Sequence, residues 1–107
     1  VILTIQECIM LELRPSCEQC RRALPPESTV ARICSFECTF CADCAALLQH
    51  CCPNCGGNLV ARPIRPEREG RNGNDLQHYP AGTREVYQPA DLQEHMHWLA
   101  NRGITPT

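Results

Sequence analysis

The sequence predicts a small α+β fold that a hydrophobic core alone cannot hold. Its 107 residues, 5% of them aromatic, give one small domain with little apolar material to bury. Ten cysteines are present, and eight of them fall into four close pairs between Cys17 and Cys55. Domains that bury too little surface are held by disulfides or by metal, so the cysteines are expected to take over the work of a core.

The compartment separates those two options. Residues 1–13 (VILTIQECIMLEL) are apolar, but they have no basic residue ahead of the run and no small-residue cleavage site. They are also too short to span a bilayer. The expected location is therefore cytoplasmic, with no membrane association, and in a reducing cytosol closely spaced cysteine pairs read as metal ligands. Met10 opens Met10-Leu11-Glu12-Leu13-Arg14-Pro15 directly before the cysteine region. Residues 1–9, with Cys8, are read as an upstream extension without a function of their own.

Three regions follow. Residues 10–60 hold nine of the ten cysteines and form the predicted domain. Pro25-Pro26 marks a loop after the first cysteine pair. Thr29–Phe36 is β-branched and apolar enough for a short strand, half of a hairpin completed around Phe40. Ala42–Gln49 has good helix formers and no breaker, and Asn58–Arg62 reads as another short strand. Residues 61–75 (ARPIRPEREGRNGND) lack an apolar period and read as an extended, solvated Arg/Pro-rich connector. Residues 76–107 form a tail with a helix over about 89–101: Pro89 suits its first turn, Asp91 and Glu94 lie near its positive end, and Gly103 can end it. Leu92, Met96 and Leu99 share one face, which is expected to pack back on the domain or on a second copy of the chain.

The cysteines run Cys17-x2-Cys20, Cys34-x3-Cys38, Cys41-x2-Cys44 and Cys52-x2-Cys55. Four pairs suffice for two tetrahedral sites. Zinc takes four soft or borderline ligands at ~2.3 Å for sulfur, and a Cys-x2-Cys turn delivers two of them while aiming its backbone amides at the thiolates. Only Thr39 and Phe40 separate the second pair from the third, too short a gap for Cys34, Cys38, Cys41 and Cys44 to surround one ion. Interleaving is expected, with Cys17, Cys20, Cys41 and Cys44 on one zinc and Cys34, Cys38, Cys52 and Cys55 on the other. Gly56, after the last pair, permits the left-handed backbone such a turn needs.

This interleaved order resembles a RING finger. Cys38-Thr39-Phe40-Cys41-Ala42-Asp43-Cys44 is similar to the segment where that family has His, a spacer, an aromatic and Cys-x2-Cys, with Cys38 in place of the histidine. The stretch from Met10 to Pro66 also resembles a family of short bacterial proteins known as domain of unknown function twelve-seventy-two. These resemblances imply a RING-like cross-brace and a metal, but no activity. RING ligases hold a conjugating enzyme against a shallow groove. They usually offer an apolar residue after the first ligand, a bulky one between the third and fourth pairs, and a basic one after the last. This chain has Glu18, the run Ala45-Ala46-Leu47-Leu48, and Gly56 there, so ligase-like activity is not expected.

No enzyme is expected either. Two complete sets of thiols leave no open metal position, and adjacency of His50 and Cys51 rarely supplies nucleophile geometry. Cys51 is read as a small buried side chain or an occasional substitute ligand for Cys52. On a helix His95 and His97 point to different faces, so they are read as solvent-exposed or interface side chains. An iron–sulfur electron carrier is the main rival, because Cys38-x2-Cys41-x2-Cys44 with a later Cys52-Pro53 echoes a ferredoxin run. Nucleic-acid binding through Arg62, Arg65, Arg68 and Arg71 is disfavoured: the formal charge is −2, and two zinc–thiolate sites would carry it to about −6. The sequence therefore predicts two structural zinc ions and a non-catalytic module that binds another protein, with a homodimer through the tail helix as a further possibility.

Overall fold

A computed structural model describes residues 10–103; the 1–9 extension and Cys8 lie outside the described residues. In chain order the elements are β1 (Ala31–Ile33), β2 (Thr39–Cys41), α1 (Ala42–Leu47), β3 (Val60–Ala61), a 3-10 turn (Arg71–Gly73) and α2 (Leu92–Asn101). The chain is a small α+β fold with a three-stranded antiparallel sheet ordered β2-β1-β3.

The hairpin forms where the β-branched run suggested. Arg32 lies opposite Phe40 in the β1–β2 ladder, and Ala31 and Ile33 on the other pleat are buried. The turn between the strands is closed by the Cys34 amide donating to the Cys38 carbonyl at 3.1 Å. Glu37 takes the left-handed backbone there, at φ 71°. Strand β2 then runs directly into α1, because Cys41 is the helix N-cap and its sulfur accepts from the Cys44 amide. The helix stops at Leu47, two residues earlier than composition suggested. Gln49 and His50 both adopt φ 59°, and the His50 amide bonds back to the Ala45 carbonyl at 2.8 Å, which ends the helical ladder.

The core is partly made of thiols. Phe40, Leu24, Leu48 and Leu59 cluster with Cys17, Cys34, Cys41, Cys44 and Cys52, so the sulfur groups sit inside the apolar cluster.

Two expectations are corrected. Residues 61–75 are not a solvated connector throughout: Arg62 is buried and its guanidinium donates to the carbonyls of Arg14, Leu24 and Pro25 at 2.9, 3.2 and 3.0 Å. Arg65 likewise donates to Leu11 and Tyr79 carbonyls. These carbonyls belong to loops with no ladder partner, and a guanidinium can serve several at once. The tail helix begins at Leu92 rather than at Pro89, since the Asp91 side chain caps the Glu94 amide at 3.1 Å while both backbone groups of Ala90 are bonded to Gln19. Its C-terminus falls as predicted, with Gly103 at φ 76° just beyond it.

Candidate metal centre

The first and last cysteine pairs are the same turn built twice. In one, the Cys17 amide donates to Arg22 O at 2.9 Å and the Arg21 amide to Cys17 O at 2.9 Å. In the other, Cys52 donates to Gly57 O at 2.7 Å and Gly56 to Cys52 O at 2.9 Å. Single bridges, Ser16 with Ala23 and Cys51 with Asn58, flank the two turns. The residue after the second cysteine is left-handed in both, Arg21 at φ 69° and Gly56 at φ 83°. Only Gly56 announces this in the sequence; Arg21 holds the same backbone at a cost of about 1 kcal/mol.

Backbone amides face the sulfurs. Gln19 N–H points at Cys17 Sγ (3.4 Å), Phe36 at Cys34 (3.3 Å), Cys44 at Cys41 (3.5 Å), Asn54 at Cys52 (3.4 Å) and Gly57 at Cys55 (3.3 Å). Such donors stabilise sulfur that carries negative charge and orient it toward a cation.

The thiols converge in two places. Cys17, Cys20, Cys41 and Cys44 have sulfurs all within 4.8 Å of one another, and so do Cys34, Cys52 and Cys55. The pairs interleave: the first group joins the first turn to the start of α1, and the second joins the hairpin turn to the last turn. Cys38, the eighth expected ligand, lies beside this group: its thiol contacts that of Cys34 and bears on that of Cys52, though its sulfur is not within 4.8 Å of all three. Its loop is one residue longer than a Cys-x2-Cys turn, and its carbonyl is committed to the hairpin closure with Cys34. The structure thus brings seven of the eight expected sulfurs within 4.8 Å of their group and sets the eighth, Cys38, next to Cys34. The ferredoxin-like run is split, since Cys41 and Cys44 group with Cys17 and Cys20 and not with Cys38.

The donor set fits a single cation at each place. The sulfurs of Cys20 and Cys41 are 3.8 Å apart, and a tetrahedron with ~2.3 Å from centre to vertex has an edge of about 3.8 Å. Burial, with Cys41 and Cys20 adding to it, pushes the Cys44 thiol far above its ordinary range, and burial does the same to Cys52. Burial also works to raise Cys41, but the Cys44 amide and neighbouring thiols outweigh it and bring Cys41 below its usual value. Sulfurs packed this closely can ionise together only with a positive charge among them.

Residues 10–65 match the family described as Protein of unknown function (DUF1272), a span that contains both thiol groups. An uncharacterized protein of Rhizobium meliloti (strain 1021) is 56% identical over 81 residues, covering 75% of this chain and 89% of that relative. The chain belongs to the DUF1272 family. No solved structure gives a significant match.

The other candidates of this DUF1272 protein fall apart in space. Cys51 is buried, and its thiol donates to the Gly56 carbonyl at 3.4 Å, while His50 is exposed on the left-handed turn. His95 and His97 do not converge: His97 is exposed, and His95, read as solvent-exposed or at an interface, is buried where α2 meets the domain, with Nε2 2.8 Å from Leu48 O. No helix among the described residues is long and apolar enough to cross a membrane.

Sequence reasoning missed Glu18 as a structural residue. It is 1% exposed, and its carboxylate accepts from the Thr39 amide at 2.6 Å and from Arg14 at 2.7 Å. The Glu18 amide in turn donates to Thr39 O at 2.9 Å, closing the outer edge of β2. The signal was available in Arg14 and Glu18 lying four apart, but without a predicted helix that spacing had no meaning.

Proposed function

We propose that this protein is a cytoplasmic, non-catalytic module built on two structural zinc ions in a RING-type cross-brace, and that its role is to bind another protein. The observation that carries the zinc reading is the convergence of two interleaved thiol groups, each sized for one ion and each lined by backbone N–H donors. Zinc supplies a fixed tetrahedral centre with no redox chemistry. Around it the residues of this chain do structural work: Cys17, Cys20, Cys41 and Cys44 would tie the first turn to α1, and Cys34, Cys52 and Cys55, closed by Cys38, would tie the hairpin to the last turn.

The non-catalytic reading rests on donor sets that the chain's own thiols fill, leaving no open metal position, and on Cys51 bonding a backbone carbonyl instead of a base. The protein-binding reading rests on apolar side chains left at the surface, among them Phe36, Leu47 and Val60. Nucleic acid is disfavoured further because Arg62 and Arg65, half of the expected stripe, are committed to carbonyls of the domain itself.

A pull-down with the zinc-loaded chain from a bacterial lysate tests the class. Recovery of a specific protein that is lost when Phe36 and Leu47 are changed to Ser is expected. Recovery of nucleic acid instead would overturn it.

A further inference from the structure

The surface between the two Cys-x2-Cys turns is already occupied. The Gln88 amide donates to Glu18 O at 3.0 Å. The Gln19 side-chain amide grips both backbone groups of Ala90, with Nε2 donating to Ala90 O at 2.9 Å and Oε1 accepting from Ala90 N–H at 2.7 Å. These bonds read main chain only, so they hold residues 88–90 as an extended peptide whatever its side chains. Beyond the Asp91 cap, α2 sets His95 Nε2 2.8 Å from Leu48 O and buries Leu99 completely. Trp98 lies over Gly56, where an added Cβ would come within 2.9 Å of its ring. A cavity of about 440 Å³ remains between this tail and the Cys52–Gly56 turn.

Three of these anchors border thiols. Glu18 and Gln19 lie between Cys17 and Cys20, and Gly56 follows Cys55. The tail thus touches the first turn at Glu18, the end of the Ala45–Leu48 run and the last turn at Gly56.

We propose that this groove is a peptide-binding surface whose resident ligand is the chain's own 88–98 segment, and that the segment is a strap that retains the metal. The inference rests on reading the two thiol groups as zinc sites. A turn that has lost its ion no longer holds the backbone that the strap grips, so ion and strap favour each other's binding. Linkage is reciprocal: undocking the strap weakens zinc retention by the same factor as zinc strengthens docking, of order 5- to 150-fold.

The test uses the full zinc-loaded chain and a chromophoric chelator, comparing wild type, Gln19→Ala, Trp98→Ala and the exposed control Arg68→Ala. Docking is read separately, from hydrogen exchange of the α2 amides and, where Trp98 is kept, from emission of this single tryptophan. Gln19→Ala and Trp98→Ala are expected to exchange faster in α2 and to give up zinc at a chelator concentration at least about 5-fold lower, with Arg68→Ala matching wild type. A synthetic peptide spanning residues 86–103 should restore retention to Trp98→Ala. Free exchange in α2 with unchanged retention, in whichever variant folds, overturns the strap while leaving the zinc reading intact. A wild type without zinc overturns both.

Discussion

The Arg14 guanidinium stands 2.7 Å from the Glu18 carboxylate, and that carboxylate also holds the amide of Thr39 at the edge of β2. Arg14 is itself tied to Glu12, which Arg84 grips through two further bonds. The ion pair therefore joins the segment before the first turn, the turn itself and the tail. Removing one member leaves a buried charge without compensation. Arg14→Ala should cost about 3–5 kcal/mol in urea unfolding of the metal-loaded protein, and Glu18→Gln less, because its amide oxygen still accepts from Thr39. A loss below about 1 kcal/mol for Arg14→Ala would show that the pair behaves as a surface bridge.

Arg62 does inside the domain what a buried loop cannot do for itself. Its two terminal nitrogens satisfy three carbonyls, those of Arg14, Leu24 and Pro25, against a desolvation cost that burial imposes on the guanidinium and that brings its pKa down. Arg62→Ala should lower stability by about 2–4 kcal/mol through lost packing and the unpaired carbonyls of Arg14 and Leu24, that of Pro25 keeping the Ser28 amide. Arg68→Ala, six residues along the chain and exposed, should change it by less than about 0.5 kcal/mol. Equal effects at the two positions, measured by thermal melting, would refute this assignment.

Cys38 and Cys51 compete for the fourth place beside Cys34, Cys52 and Cys55. Cys51 is engaged with Gly56 O, whereas Cys38 follows Cys34 through the hairpin turn. Cys51→Ser should keep two zinc ions per chain. Cys38→Ser should keep the first ion at full strength and lose the second at a lower chelator concentration. The reverse pattern would make Cys51 the ligand.

Zinc retention should fall with falling pH. Binding forms thiolates and releases protons, and burial pushes Cys44 and Cys52 above the ordinary thiol range. Protons therefore compete more strongly at lower pH throughout the neutral range, and the competition continues above the ordinary thiol pKa of about 8.5 instead of levelling off there. Chelator titrations at three pH values between 6 and 8 should show progressively weaker retention as pH drops; a flat profile would contradict the thiolate account.

How much of this was legible in the sequence varies with the kind of interaction. The interleaved thiol groups followed from spacing, because Thr39 and Phe40 leave too little chain to wrap one ion. The hairpin and α1 followed from β-branched residues and helix formers. What stayed hidden depends on side chains bonding to backbone far away in sequence. Gln19 clamping Ala90 and Arg62 serving Leu24 have no periodicity, and composition made residues 61–75 look like solvent-exposed chain. Cys38 shows the limit of spacing itself: Cys34-x3-Cys38 announced the contact between these two thiols, but not that the Cys38 sulfur would sit farther from the group than the other three. His95 lies three residues after Leu92 and four before Leu99, on the face expected to pack inward, but nothing in the sequence indicated that Leu48 O would be its partner.

The central claim is that two interleaved thiol groups each hold one zinc ion. Elemental analysis of the purified chain, prepared with and without oxygen, together with its visible absorption spectrum, tests it most directly. Two zinc ions per chain with no visible colour is the predicted result. Iron with iron–sulfur absorption, or a chain that stays folded with no metal at all, would contradict it.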